Sequence, residues 1–272
     1  MKLSFTTAGC PGWSWNEIFA ITTDIGFDGM EIRGVGDEMY APSIPEFSGD
    51  QLEKTKARLA EANLTIPVLD STCALAIDAV KEAAMIEAKA YINLAAKLGT
   101  PYVRVMPTEK AHPTHADLDL CREQYEAVCA YGAEKNVTPI METNGVLADS
   151  ALMRAFMDGI ASENKGVLWD VHHPYRFFDE TPETTFANLG SLIKHVHVKD
   201  SLKINGEIKY KMMGYGDVPV MQAMDELKKS GYDGFISLEW LKRWNPDLQE
   251  PGIVFAHYKS YMDFILSQSP NA

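Results

Sequence analysis

The chain has 272 residues, 46% of them hydrophobic, and a formal net charge of −13 at pH 7. This acidic balance disfavours general affinity for nucleic acid, because phosphate binding needs clustered Lys and Arg. The sequence has no apolar run of transmembrane length, its start lacks the apolar stretch of a signal peptide, and its four cysteines show no CxxC spacing. We therefore expect a cytoplasmic protein with reduced thiols and with no nucleic-acid or membrane partner.

One junction recurs along the chain: a helical segment ends at Gly or Asn, a short turn follows, and an apolar strand begins. A Gly or Asn just past a helix adopts the left-handed conformation that ends it, and the runs that follow are rich in Val, Ile, Leu and aromatic residues, as strands are. The junctions lie at residues 25–32, 62–69, 98–105, 135–142, 164–169 and 230–239. Together with residues 3–7 and 195–198, they predict eight strands.

Helical segments fill the gaps between these strands. They are predicted at residues 51–62, 79–98, 117–135, 149–161, 220–229 and 255–267. Alternating strands and helices indicate a parallel α/β sheet, and eight such units predict a single (β/α)8 TIM barrel over residues 1–272. The alternative is an open doubly wound sheet, for which no GxGxxG follows the first strand.

The loops after the strands are the longer ones, and they lie at the C-terminal mouth, where barrel active sites are found. They include residues 172–185 and 201–219. Within the second loop, residues 203–209 alternate around Asn-Gly, which predicts a β-hairpin over the mouth.

Four predicted strands, all neighbours in the barrel, end in a carboxylate or an imidazole. A lone Glu at a strand end is more often a capping or salt-bridging residue, but four such ends on consecutive strands predict one metal site. Three carboxylates and one imidazole suit Mn²⁺ best, with Mg²⁺, Co²⁺ and Zn²⁺ as alternatives. The four residues are Glu142, Asp170, His197 and Glu239.

Four of the five tryptophans follow the first and last strands, which are adjacent in a closed barrel. They are Trp13, Trp15, Trp240 and Trp244. One interpretation is an aromatic wall against the C–H face of a sugar substrate, and the other is a hydrophobic plug or a dimer contact.

Several cations near the mouth are open to two interpretations. They either meet a phosphate or carboxylate of a substrate or form surface contacts and salt bridges. These residues are Lys199, Lys203, Arg33 and Arg243. Inside the barrel, Glu31 and Arg104 are interpreted as an ion pair.

Several motifs together resemble the xylose-isomerase-like barrel superfamily. Its members include sugar-phosphate isomerases and epimerases, ketose 3-epimerases, hydroxypyruvate isomerases, inosose dehydratases and endonuclease IV. The motifs are Glu142 and residues 29–32, 170–173, 195–200, 214–219 and 231–239.

The resemblance implies specific roles for individual residues. It implies that Glu142, Asp170, His197 and Glu239 bind the metal, and that Glu142 and Glu239 are also the acid/base pair. It further implies that His173 contacts the substrate and that the protein is a homodimer. His195 is left as either a support for the metal ligands or a barrel-core residue. An endonuclease IV activity is disfavoured, because its additional His ligands are missing where the predicted third and fourth strands end.

These features predict a metal-dependent isomerase or epimerase of a small keto-sugar or sugar phosphate. In that chemistry a carboxylate transfers a proton through a metal-stabilised enediolate. The alternative is a metal-dependent lyase or dehydratase acting on a keto-sugar, a keto-inositol or a 3-keto-glycoside. A more distant alternative is a non-catalytic sugar-binding subunit. The predicted substrate contacts are His173, Trp13, Trp15, Lys199, Lys203 and Trp240.

Overall fold

The structure is a computed structural model that describes residues 1–268, so residues 269–272 of the predicted domain lie outside the described part. Its strands are β1 (Lys2–Phe5), β2 (Val68–Ala74), β3 (Tyr102–Met106), β4 (Thr138–Glu142), β5 (Gly166–Asp170), β6 (Ile193–Val198), β7 (Asp200–Ile204), β8 (Glu207–Lys211) and β9 (Phe235–Leu238). Seven of them form a parallel sheet in the order β1-β9-β6-β5-β4-β3-β2.

The predicted second strand, residues 29–32, is not a regular strand. It is joined to its neighbours by isolated bridges, and its backbone hydrogen bonds alternate between β1 and β2: Glu31 N donates to Phe5 O at 2.9 Å, and Ile32 N donates to Val68 O at 3.2 Å. The next amide, that of Arg33, donates to the Thr7 side chain instead, so the pairing ends there. Within residues 1–268 the main sheet therefore has seven strands rather than the predicted eight, and this segment fills the gap between its edges.

The helices lie between the strands, mostly where the sequence predicts them. They are α1 (Trp15–Ile25), α2 (Gly49–Glu61), α3 (Lys81–Leu98), α4 (Leu118–Ala133), α5 (Ser150–Asp158), α6 (His172–Phe178), α7 (Pro182–Leu189), α8 (Val220–Ser230) and α9 (Pro251–Ser267). The predicted loop at residues 172–185 is wrong, because α6 begins directly after β5 and α7 follows it. The predicted hairpin is confirmed: β7 and β8 pair antiparallel around Asn205 and Gly206, both with positive φ.

Local chemistry explains where the helices begin and end. Ser14 and Glu17 form a reciprocal capping box at the start of α1, and Gly26 ends that helix with φ of 80°. Gly99 and Gly231 end α3 and α8 in the same left-handed conformation. The Gly junctions in the sequence are thus actual helix ends, and they direct the chain back into the sheet.

An apolar plug fills part of the barrel interior. Val68, Ile140 and Leu168 are fully buried and pack together with Tyr102. Side chains alternate along a strand, so Ile140 shares its face with Glu142, and Leu168 shares its face with Asp170. The two acidic side chains therefore lie one pleat above the plug, toward the C-terminal ends of the strands.

Gly29 marks a close approach of two backbones, and it gives a test of the fold. A Cβ at this position would lie 2.2 Å from Thr65 O and 3.1 Å from the Phe235 ring. We expect Gly29→Ala to lower the free energy of unfolding by about 1–3 kcal/mol through overpacking, read as a lower urea midpoint. Gly12→Ala is the matched control, because a Cβ there meets nothing within 4 Å. An unchanged urea midpoint for Gly29→Ala would contradict the close approach of the backbone at Gly29 to Thr65 O.

Two further sequence-based statements concern the membrane and the thiols. None of the helices described in the structure combines the length and apolar character that a membrane span requires. Cys10, Cys73, Cys121 and Cys129 are all buried and unpaired, as expected for reduced thiols.

Candidate active site

The four predicted ligand residues come together at the C-terminal ends of neighbouring strands. Glu142 and Asp170 are the last residues of β4 and β5, His197 lies near the end of β6, and Glu239 directly follows β9. One ligand atom from each residue lies within 4.8 Å of the other three, and all four side chains are buried. The sheet order β9-β6-β5-β4 thus brings distant parts of the sequence into one cluster.

The imidazole of His197 is held from behind by Glu31. His197 Nε2 donates to Glu31 Oε1 at 2.7 Å, and His195 Nε2 donates to the other oxygen of the same carboxylate at 2.8 Å. Of the two interpretations of His195, the structure therefore favours a residue that supports the ligands. Burial works against a charged His197, but the carboxylate of Glu31, and then that of the nearby Glu142, raise its pKa well above the ordinary value.

The other ring nitrogen of His197 faces the carboxylates. Nδ1 is buried with no hydrogen-bond partner, 3.7 Å from Glu142 Oε1 and 3.9 Å from Glu239 Oε1. A buried polar atom without a partner is costly. Since Nε2–H donates a hydrogen bond to Glu31, Nδ1 is the nitrogen that can lose its proton and offer a lone pair to a cation. Together with three carboxylates, it forms a donor set that fits one divalent ion.

Arg104 links the carboxylates of the cluster. Its guanidinium nitrogens lie 3.3 Å from Glu142 Oε2, 3.6 Å from Glu239 Oε1 and 3.4 Å from Asp70 Oδ1. The predicted ion pair of Arg104 with Glu31 is wrong, because Glu31 bonds the two histidines instead. Burial would raise the pKa of Glu142, but the positive charges of Arg104 and His197 together lower it below its usual value.

Lys199 is a second cation inside the cluster, and it is 1% exposed. Its ammonium donates to Asp170 Oδ2 and, at 2.5 Å, to Glu239 Oε2. Burial alone would raise the pKa of Glu239, but Lys199, and then His197 and Arg104, hold it well below its usual range. Lys199 is therefore in direct contact with two of the proposed ligands, closer to the cluster than a substrate-contacting lysine at the rim would be.

A cavity of about 280 Å³ opens above the cluster. It is lined by Arg33, Arg104, Met106, Glu109, Ala111, Glu142, Asn144, His173, Tyr210, Glu239, Leu241 and Trp244. The ring of His173 donates from Nδ1 to Thr143 O at 2.9 Å, so its Nε2 is the acceptor on the side of Asp170, 3.6 Å from Oδ2. His172 is adjacent to Asp170 but does not line the cavity, and its Nε2 lies 2.9 Å from Ser201 Oγ.

The predicted aromatic wall differs from the one in the structure. Trp15 packs against Phe47 in the core, and Trp240 is 1% exposed with its indole N–H bonded to Gln249 O. Trp13 packs edge-on against Phe255. These three tryptophans do not line the cavity. The fourth predicted member, Trp244, does line it, together with Tyr210.

Lys203 also lies away from the cavity. It is exposed on the hairpin and is absent from the residues that line the cavity above the carboxylate cluster. Its predicted contact with the substrate therefore has no support in this geometry.

Three residues near the cluster have contacts that the sequence interpretation missed. Glu31 and Arg104 are single charged residues within short apolar segments, and both side chains point into the barrel. Tyr210 lies on β8 and places the hairpin at the cavity. A charge at an inward position of a strand was the available signal for the first two. No local signal identified Tyr210.

Comparisons with known proteins agree with this fold. The family model described as xylose isomerase-like TIM barrel matches residues 19–256. Among curated proteins, the uncharacterized protein MJ1311 of Methanocaldococcus jannaschii is 29% identical over 117 residues, which are 40% of this chain and 37% of that protein. The aligned region thus spans little more than a third of the curated relative.

Solved structures share the fold over nearly the whole chain. A probable 3-DHS dehydratase, AsbF of Bacillus anthracis, involved in petrobactin synthesis, superposes with a TM-score of 0.78 at 17% identity, covering 97% of this chain and 99% of that one. D-psicose 3-epimerase of Clostridium cellulolyticum H10, solved with D-tagatose, gives a TM-score of 0.76 at 17% identity, covering 98% of each chain. At these identities the likeness concerns the fold alone.

Proposed function

This chain belongs to the xylose isomerase-like TIM barrel family, and we propose that it is a divalent-metal-dependent isomerase or epimerase of a small keto-sugar or sugar phosphate. The observation that carries the proposal is the cluster of Glu142, Asp170 and Glu239 around the unpartnered Nδ1 of His197. These four residues would hold the ion, and Mn²⁺ suits their oxygen-rich donor set best. When bound, the ion would act as a Lewis acid on the substrate's carbonyl and adjacent hydroxyl oxygens.

The side chains of the chain supply the proton transfers. Glu142 and Glu239 both line the cavity, and their lowered pKa values keep them ionised and able to accept a proton from a substrate C–H bond. In isomerisation, the carboxylic acid so formed returns the proton to the adjacent carbon. In epimerisation, the other glutamate first takes a proton from solvent and then delivers it to the same carbon from the opposite face.

Other residues would orient these groups and the substrate. Arg104 contacts both glutamates and fixes their separation, while Nε2 of His173 can accept a hydrogen bond from a substrate hydroxyl. Tyr210 and Trp244 offer aromatic surface to the C–H face of a sugar. The test is metal analysis together with a screen for solvent-deuterium exchange over ketoses and ketose phosphates, in which exchange at one carbon identifies the substrate and the reacting position.

Lys199 favours one alternative, a lyase or dehydratase on a keto-sugar, keto-inositol or 3-keto-glycoside. Its ammonium is buried against Glu239 and is not among the residues that line the cavity, so it would act through this carboxylate, which takes the C–H proton while the departing hydroxyl or glycosyl oxygen is protonated by solvent. The product distinguishes the two reactions, because a lyase gives an unsaturated or smaller molecule whereas isomerisation conserves mass.

Glu31 provides a test of the metal site that does not depend on turnover. We expect Glu31→Gln to weaken Mn²⁺ binding by about 10–100-fold, because the neutral amide holds the two imidazoles less firmly and loses the charge behind His197. Isothermal titration of chelator-treated protein with MnCl₂ measures this. Glu53→Gln is the matched control, an exposed residue paired only with Lys56. Equal Mn²⁺ affinity in the Glu31 and Glu53 variants would count against His197 as a ligand.

A further inference from the structure

Arg33 is a buried cation that lines the cavity above the carboxylates. Arg33 directly follows residues 29–32, the segment joined to β1 and β2 by isolated bridges, and 8% of the residue is exposed. Its backbone is fixed on both sides, since Arg33 N donates to Thr7 Oγ1 at 2.9 Å and the same hydroxyl donates to Gly34 O at 2.6 Å. The guanidinium therefore projects into the cavity from a rigid attachment.

This guanidinium has no anionic partner within the part of the chain that the structure describes. Its Nε and Nη1 atoms are buried without a hydrogen-bond acceptor, and none of the ion pairs between residues 1 and 268 includes Arg33. The other two buried cations differ sharply: Arg104 contacts three carboxylates and Lys199 contacts two. A buried charge without a partner is strongly unfavourable, so a residue of this kind calls for a ligand.

The surroundings of Arg33 indicate an anion that enters from the cavity. Trp244, half exposed, faces the guanidinium with its ring centre 5.7 Å from Cζ. Burial first, and then the charge of Arg104, lower the pKa of Arg33, and Asp70, Tyr91 and the more distant Glu87, none of which forms an ion pair with it, only partly offset this shift. Three acidic residues line the cavity. Glu109 is exposed and forms no ion pair with Arg33 among the described residues, and Glu142 and Glu239 pair with Arg104 instead. A further anion would relieve the repulsion between the two guanidinium groups.

We propose that Arg33 binds an anionic group of the substrate, a carboxylate or a phosphate, and that this enzyme therefore acts on an acidic keto-sugar rather than a neutral one. The inference rests on the proposed function, because it concerns the same cavity. One small molecule can contact Arg33 and the two glutamates at the same time, because Arg33, Glu142 and Glu239 line a single cavity of about 280 Å³. A guanidinium matches the oxygens of a carboxylate or phosphate and holds them in a defined orientation. The acid group would thus anchor one end of the molecule while its carbonyl end lies at the carboxylate cluster.

Matched ligands test this inference by binding rather than by turnover. The probes are D-fructose, D-fructuronate and D-fructose 6-phosphate, which differ at one end of the same ketose. Isothermal titration of the Mn²⁺-loaded protein should show at least one acid binding about tenfold or more tightly than D-fructose. In Arg33→Gln this preference should disappear, while the weaker binding of D-fructose and the Mn²⁺ affinity stay unchanged. D-fructuronate carries a carboxylate and D-fructose 6-phosphate carries a phosphate, so the acid that binds more tightly identifies the anionic group that Arg33 recognises.

Arg122→Gln is the matched control, an arginine of α4 whose ion pair is with Asp119 on the same helix. It should keep the full preference for the acid. Equal binding of acids and D-fructose, a preference that survives in Arg33→Gln, or no measurable binding of either acid would overturn the inference. An equal loss of binding for all three probes in Arg33→Gln would also overturn it, because that result indicates a structural role. If acid binding depends on Arg33 but no ketose exchanges deuterium, the proposed chemistry fails and the anion site stands.

Discussion

At least one of the variants Glu142→Gln and Glu239→Gln, and both of them if the enzyme is an epimerase, should lower the rate of conversion of the substrate by at least about 100-fold. Glutamine has the shape of glutamate but cannot accept a proton from carbon. Both side chains are buried and both contact Arg104, so each variant keeps one oxygen for that contact and should remain folded. The rate of product formation and the rate of deuterium incorporation are both measured on the ketose that the exchange screen identifies, with Mn²⁺ in excess so that a weakened metal site is saturated.

The two variants together also report on the reaction type. In a one-base isomerisation, a single carboxylate removes and returns the proton, so one variant should be inactive and the other should lose mainly metal affinity. In an epimerisation both glutamates are needed for product, but the variant that keeps the base should still exchange deuterium into the substrate. Glu53→Gln, an exposed control, should behave as the wild type. Full turnover in both site variants would refute the catalytic assignment and favour a non-catalytic sugar-binding subunit.

The sequence was sufficient to predict how the four strand ends would meet. Parallel neighbouring strands end at the same edge of a sheet, so Glu142, Asp170 and His197 had to converge once their strands were recognised. The helix ends were predictable for a similar local reason, as Gly26 and Gly99 show. Both inferences use only residue type and chain order, which the sequence contains.

The pairing partners of the barrel-facing charges could not be predicted in the same way. Glu31 and Arg104 were interpreted as a pair because both lie in apolar strand segments. Which inward side chains meet depends on the relative height of the strands, and this register places both His195 and His197 against Glu31. Arg104 then lies among the carboxylates of β2, β4 and the end of β9. A single sequence does not contain that register.

Trp240 was wrongly assigned to the aromatic wall, for a reason that strand geometry could have revealed. Successive side chains on an extended chain point to opposite faces, so if Glu239 faces the cavity, Trp240 faces the helices. In the structure Trp240 faces away from the cavity, and its indole N–H donates to Gln249 O in the loop before α9. Helix α6 was missed for a different reason. At seven residues, it is too short to show a helical periodicity, and Pro174 within it is typical of a loop.

Lys199→Met should strongly destabilise the metal-free protein and should be rescued by Mn²⁺. The ammonium contacts Asp170 and Glu239, and its removal leaves two buried carboxylates short of a partner, at a cost of about 3–5 kcal/mol in unfolding free energy. A divalent ion supplies the missing positive charge, so Mn²⁺ should raise the urea midpoint of this variant more than that of the wild type. In the wild type, Mn²⁺ at a hundredfold excess over Kd should add about 2.7 kcal/mol, and chelation should remove it.

Two further variants make this second test decisive. Lys56→Met removes an exposed lysine whose ion pair is with Glu53, and it should leave both the metal-free stability and the Mn²⁺ response unchanged. Asp170→Asn removes one proposed ligand, and it should lose most of the stabilisation by Mn²⁺. The proposed site would be refuted if Mn²⁺ stabilised Asp170→Asn as much as it stabilises the wild type. It would also be refuted if Lys199→Met lost the same unfolding free energy relative to the wild type with and without the ion. A larger Mn²⁺ response in Lys199→Met would instead mean that the lysine and the ion neutralise the same carboxylates, because only groups that share their partners replace one another in this way.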